Sequence, residues 1–155
     1  MPDSQAQVEV ISGDARLSLE SELRSGPQNY DVLVVDAFSG DSIPTHLITR
    51  EALQIYLAHI KANGVIAFHI SNRYLDLEPV MAGLAAESGL ASRLVEKGGT
   101  PPLGLASWWV ILARDETRLR ELGVLDQGRA LNLRPSFVHW TDDRNNLLDI
   151  MRLIP

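Results

Sequence analysis

The stretch YDVLVVDAFSGDSIPTHL, residues 30–47, runs from an apolar segment straight into a loop crowded with polar and turn-forming residues. Tyr30 to Asp36 lacks the polar–apolar alternation of a half-exposed strand. A continuous apolar run of this kind belongs to a strand covered on both faces, as in a parallel sheet. The loop that follows carries Asp36, Ser39, Gly40, Asp41, Ser42, Pro44 and His46. In open α/β sheets ligands bind outside the carboxyl ends of strands, so this loop stands where a site would form.

Outward from that stretch, strands and helices alternate. Val8 to Asp14 has the short β-branched character of a strand ending in a Gly-Asp turn. The segment from Ala15 places Leu17, Leu19 and Leu23 in an imperfect helical pattern closed by Gly26-Pro27. Thr49 can cap a helix running to Asn63-Gly64, and Gly64 to Ser71 reads as another buried strand. A helix over Asp76 to Ser88 stops at Gly89. Ala91 to Gly98 is a weaker strand, Gly98 to Gly104 a turn-rich loop, and Ala106 to Arg114 a strand. A short helix near Glu116 to Leu122 follows, and Asp142 or Asp143 can open a C-terminal helix. The expected fold is α/β: one domain over residues 1–155 with a mostly parallel sheet, flanking helices, and closing strands free to reverse at the edge.

Composition narrows the function. Hydrophobic residues make up 45% of the 155 and charged residues 22%, which suits a chain with a packed core. There is no cysteine, so disulfides and thiolate metal sites are excluded, and a cytoplasmic setting is expected. The N-terminus lacks a signal-peptide pattern, and no apolar run reaches the length of a membrane span. A net charge of −6 with scattered basic residues disfavours nucleic acid. It is compatible with a cationic substrate, and equally with solubility alone.

Several residues are candidates for chemistry. Asp36 ends its strand at the crevice, where a carboxylate can take a proton from an ammonium nucleophile or hold a cationic group. It can equally cap a turn. Asp14 follows Gly13 at a second strand end, placed to receive a hydrogen bond from a base or ribose, or to cap the helix beginning at Ala15. The histidines are His46, His59, His69 and His139, and none form an i, i+4 metal pair, so no metal is expected. His69, beside Ser71 and Asn72, either lines the cleft or is a buried structural histidine. Trp108 and Trp109 should point to opposite faces of their strand, one into the core and one over a ligand or helix. Ser39 lies outside any G-x-S-x-G elbow, because Asp36 stands where the first glycine would be. The G-x-G-x-x-G turn of nucleotide-binding α/β domains does not occur.

The segments GDARLSL, residues 30–77 and WTDDRNNLL together resemble the spermidine synthase-like proteins. These form the aminopropyltransferase branch of the S-adenosylmethionine-dependent methyltransferase fold, and the likeness spans most of the chain. The resemblance implies a partial Rossmann-like methyltransferase fold, and transfer of an aminopropyl group from decarboxylated S-adenosylmethionine to an amine such as putrescine. It implies that Asp36 deprotonates the attacking amine and that Asp14, with Ala15, contacts the adenine. Ser39, Asp41 and His69 become candidate substrate-binding residues. S-adenosylmethionine is the other implied co-substrate, since a small-molecule methyltransferase shares the fold, and a non-catalytic binding or assembly module is the remaining alternative. The sequence departs from the synthase pattern in three places. Asp36 is followed by AFSGDSIP, the next strand ends in HISN, and the family's first strands with their glycine-rich motif are not represented. The expectation is therefore a truncated domain whose Val8–Asp14 strand is an exposed edge, binding a second copy or a partner chain.

Overall fold

The computed structural model describes residues 6–36, 44–98, 106–134 and 139–152. A four-stranded sheet runs in the order β1-β2-β4-β3, where β1 is Tyr30–Val35, β2 Ile60–His69, β3 Ala91–Lys97 and β4 Ser107–Ala113. β1 and β2 are parallel, whereas β4 lies antiparallel to both β2 and β3. The α/β class holds and the closing strands reverse. The parallel share is smaller than the sequence suggests, because the segment expected to add a further strand stays out of the sheet.

That segment is Val8–Asp14. Its residues join no strand, and Val8, Val10 and Ile11 are 74%, 85% and 57% exposed. β propensity describes fit to a pleated, half-buried surface, and Val8–Asp14 stays extended and exposed beside β1 without pairing to it. The edge of the sheet is therefore β1. Its Tyr30, Val32 and Val34 are exposed, while Leu33 and Val35 turn inward.

Helices cover the inward surface. α1 (Ala15–Leu23) is capped by Asp14, which accepts from the Leu17 amide. α2 (Arg50–His59) is capped by Thr49, which accepts from the Ala52 amide. It ends five residues before the expected Gly64 stop, since Ile60 already bridges Tyr30. The β1–β2 register then jumps from Tyr30↔Ile60 to Val32↔Val65, so residues 61–64 bulge outward. Lys61 secures the bulge by reaching both oxygens of Asp31, at 2.7 and 2.8 Å.

α3 (Glu78–Glu87) is apolar around nearly its whole circumference, with Val80, Met81 and Leu84 fully buried. It ends before Gly89, which takes the left-handed φ of 64° that favours glycine. α4 (Glu116–Glu121) and the single turn α5 (Val124–Gln127) complete the helices. The expected C-terminal helix reduces to a 3₁₀ turn over Leu147–Ile150, capped by Asn146. Asp142 opens no helix because its carboxylate is committed to Arg16 and Thr49.

The main core gathers Leu53, Tyr56, Phe68, Met81, Leu112 and Trp140, each 1% exposed or less. Trp140 draws the C-terminal segment into the core, and its carbonyl accepts from the Arg50 amide at the start of α2. Among the described residues, no helix is long and apolar enough to cross a membrane.

Candidate functional site

Strand register builds the site. β1 and β2 run parallel with Val35 opposite Phe68. The residues immediately after, Asp36 and His69, therefore emerge side by side at the carboxyl edge. His69 Nδ1 lies 2.7 Å from Asp36 Oδ1, and its Nε2 lies 2.8 Å from the Ser71 hydroxyl. The Ser71 oxygen in turn accepts from the Trp108 amide at 2.8 Å. Because β4 pairs antiparallel to β2 with His69 opposite Trp109, the Trp109 ring stacks on the imidazole at 4.7 Å and 20°. The His69 side chain is 23% exposed and that of Asp36 is 51% exposed, so the carboxylate faces solvent while the ring is held behind it.

Asp36 also borders a cleft of about 440 Å³ that Gly13, Ala15, Tyr30, Val34 and Tyr56 help to line. This volume is in the range of small-molecule sites, roughly 300–1,000 Å³. The start of α1 and the end of β1 thus share one wall. Glu22 lines the same cleft, and its Oε2 is buried without a hydrogen-bond partner among the described residues. A buried lone acceptor is costly unless something donates to it.

A second polar cluster sits at the other side of the α1 start. Asp14 Oδ1 accepts from the Leu17 amide and Oδ2 lies 2.7 Å from His46 Nε2. The Leu17 amide, then His46, hold the Asp14 carboxyl below its ordinary range. Asp14 therefore caps α1, the second of the two roles its position allows. Arg16, nearly buried, forks onto both oxygens of Asp142 and donates to the His46 carbonyl. The Arg16 hydrogen bonds hold the Asp142 carboxyl below its ordinary range.

The structure joins Asp36 with His69, and Ala15 with Asp36 across the cleft; Asp14 faces a neighbouring hollow with His46. Ser39 and Asp41 lie outside the described residues. His59 is fully buried and structural: its Nδ1 accepts from the Gln28 amide and its Nε2 bonds the Leu19 carbonyl. Trp108 packs against the core while Trp109 covers His69, the division that alternation along a strand predicts. Sequence reasoning missed Ser71 and Glu22 as site residues. Ser71 sits two positions past His69, a spacing that could have flagged it; nothing in the α1 pattern singles out Glu22.

No family model matches the chain. Over 57 residues, 37% of this chain, the sequence is 40% identical to a polyamine aminopropyltransferase of Vibrio vulnificus (strain CMCP6). The match covers 19% of that enzyme's length. A solved spermidine synthase in complex with the transition state analogue AdoDATO is similar over 75% of this chain and 40% of its own, at 15% identity and a TM-score of 0.45. A spermidine synthase from Thermotoga maritima is similar over the same shares, at 15% identity and a TM-score of 0.46.

Proposed function

We propose that this chain, spermidine synthase-like in sequence, carries the amine-activating side of an aminopropyltransferase site. The observation that carries this reading is Asp36: a half-exposed carboxylate at a strand end, bordering a cleft and backed by an imidazole at 2.7 Å. An amine attacks only as the neutral base, so a carboxylate beside it must first take its proton. With decarboxylated S-adenosylmethionine and putrescine, the amine nitrogen forms a bond to the propyl carbon on sulfur. The carbon–sulfur bond breaks, methylthioadenosine leaves with the electron pair, and the amine's proton passes to Asp36. The sulfonium is an activated leaving group, so positioning supplies much of the remaining acceleration.

Ala15 would lie toward the nucleoside with Asp14 behind it holding the start of α1, and the orphaned Glu22 oxygen would receive one of the nucleoside's donors or the amine. The exposed face of β1 supports a partner requirement, with a second copy or another chain pairing at Tyr30–Val35 rather than at Val8–Asp14. The same exposed face favours a second reading, a binding or assembly module that keeps the fold without the chemistry.

Calorimetry with decarboxylated S-adenosylmethionine, methylthioadenosine and S-adenosylmethionine separates these readings. Binding of the first two with putrescine turnover is expected, with Asp36→Asn lowering turnover roughly 10²–10⁴-fold, the usual worth of a general base. Preference for S-adenosylmethionine would favour a methyltransferase. No binding of any of the three would leave the module.

A further inference from the structure

With the imidazole neutral, the hydrogen bonds around His69 run in one direction. An ionised carboxylate only accepts, so the 2.7 Å contact to Asp36 requires the hydrogen on Nδ1. Nε2 of the neutral ring is then an acceptor, and the Ser71 hydroxyl at 2.8 Å donates to it. Ser71 can do so because its oxygen is already oriented by the Trp108 amide. The polarity therefore runs one way, from the Trp108 N–H through Ser71 and His69 to Asp36. This tautomer is the opposite of the Nε2–H form that free histidine favours.

We propose that His69 is a positioning residue, held as the Nδ1–H tautomer, that presents the Asp36 carboxylate to the attacking amine. The inference rests on the aminopropyl-transfer reading for its kinetic consequence, and on geometry alone for the state of the ring. His69 anchors Asp36 through Oδ1, so the ammonium's proton is delivered to Oδ2. Oδ1 keeps accepting from Nδ1–H after that proton arrives, and the carboxyl group does not swing away. Trp109 stacked on one face of the ring and Ser71 at its far nitrogen remove the ring's freedom to rotate. His69 thus acts behind Asp36 rather than as a substrate ligand in its own right.

The ring's state is readable without turnover, by nitrogen-15 spectroscopy of the imidazole in the full chain. At neutral pH the Nδ1–H form is expected for His69, giving way to Nε2–H in Asp36→Leu. An Nε2–H ring, or an imidazolium with hydrogens on both nitrogens, in the unmodified chain overturns the proposal. Kinetics supply the second arm, with decarboxylated S-adenosylmethionine and putrescine. His69→Leu should lower kcat roughly 10–100-fold with the amine KM little changed, the mark of an interaction made in the transition state. His69→Asn, whose amide N–H takes the place of Nδ1–H, should restore most of that loss. Equal kcat in His69→Leu and the unmodified chain, or no difference between the Leu and Asn variants, would refute it. If the unmodified chain turns nothing over, the aminopropyl-transfer reading falls, and the tautomer measurement still decides what His69 does.

Discussion

Arg16 grips Asp142 by both carboxylate oxygens, at 2.6 Å each, across 126 positions of the chain. Thr49 adds a hydrogen bond to the same carboxylate at 2.8 Å, so three distant segments meet at one acid. α1, the cap of α2 and the C-terminal segment are locked together on the side of α1 away from the cleft.

Breaking that fork from the arginine side leaves the Asp142 carboxylate with two donors fewer, Thr49 remaining, and an apolar neighbour. Arg16→Met should destabilise the chain by about 1–3 kcal/mol, the usual cost of leaving a polar group without its partner. The Asp142 side chain is 40% exposed, so solvent screening keeps the loss below that of a fully buried pair. Urea midpoints of the two proteins measure it, and an unchanged midpoint would show that the contact is only decorative.

Acid should loosen a different clamp. Burial alone would raise the Glu78 carboxyl, but the Arg129 fork and the Asn132 amide outweigh it and hold Glu78 below its ordinary range. A depressed carboxyl stabilises the fold above its unfolded-state value, and that stability disappears as pH falls through the lower folded-state value. Glu78→Gln should therefore cost most at neutral pH and progressively less under acid. Denaturation midpoints at neutral and acid pH test this; a gap that widens on acidification would contradict the sign.

Gly64 is required by space rather than by φ. A Cβ there would meet the Tyr30 carbonyl oxygen at 2.8 Å and the Ile60 side chain at 2.9 Å. Gly64→Ala should cost about 1–3 kcal/mol, the usual penalty for overpacking. It should also disturb the β1–β2 crossing, seen as faster amide exchange at Val32 and Val65. Retention of both stability and protection would mean that the bulge yields freely.

The free edge of β1 predicts association. Light scattering at high micromolar concentration should show species larger than one chain, and Val34→Lys should return them to monomer by placing a charge on the edge. A strictly monomeric unmodified chain would remove the edge-pairing idea.

Sequence reading captured single residues better than relationships. Asp36 and His69 were each visible at the end of an apolar run, yet their contact depends on the register Val35↔Phe68. An all-apolar run does not encode register, because a shift of one residue leaves the same residue types on each face, and β1 indeed exposes one of its two apolar faces. The Trp109–His69 stack is hidden for the same reason, being a pairing across strands 40 residues apart in sequence. Caps were legible at Asp14 and Thr49 because capping is local chemistry. The Val8–Asp14 strand and the Asp142 helix failed for the converse reason. Each had suitable local residues, but the first stays unpaired beside the β1 edge, a choice that local propensity does not decide, and the other was claimed by Arg16.

Among the described residues β1 has a hydrogen-bonded neighbour on one side only, and residues along it also line the cleft beside Asp36. A second chain seated on that edge would become part of the cleft's wall. Any ligand affinity that depends on such a wall obeys mass action in protein as well as ligand. Dilution would then lower the activity of each molecule, making concentration itself a control over whether the site is whole.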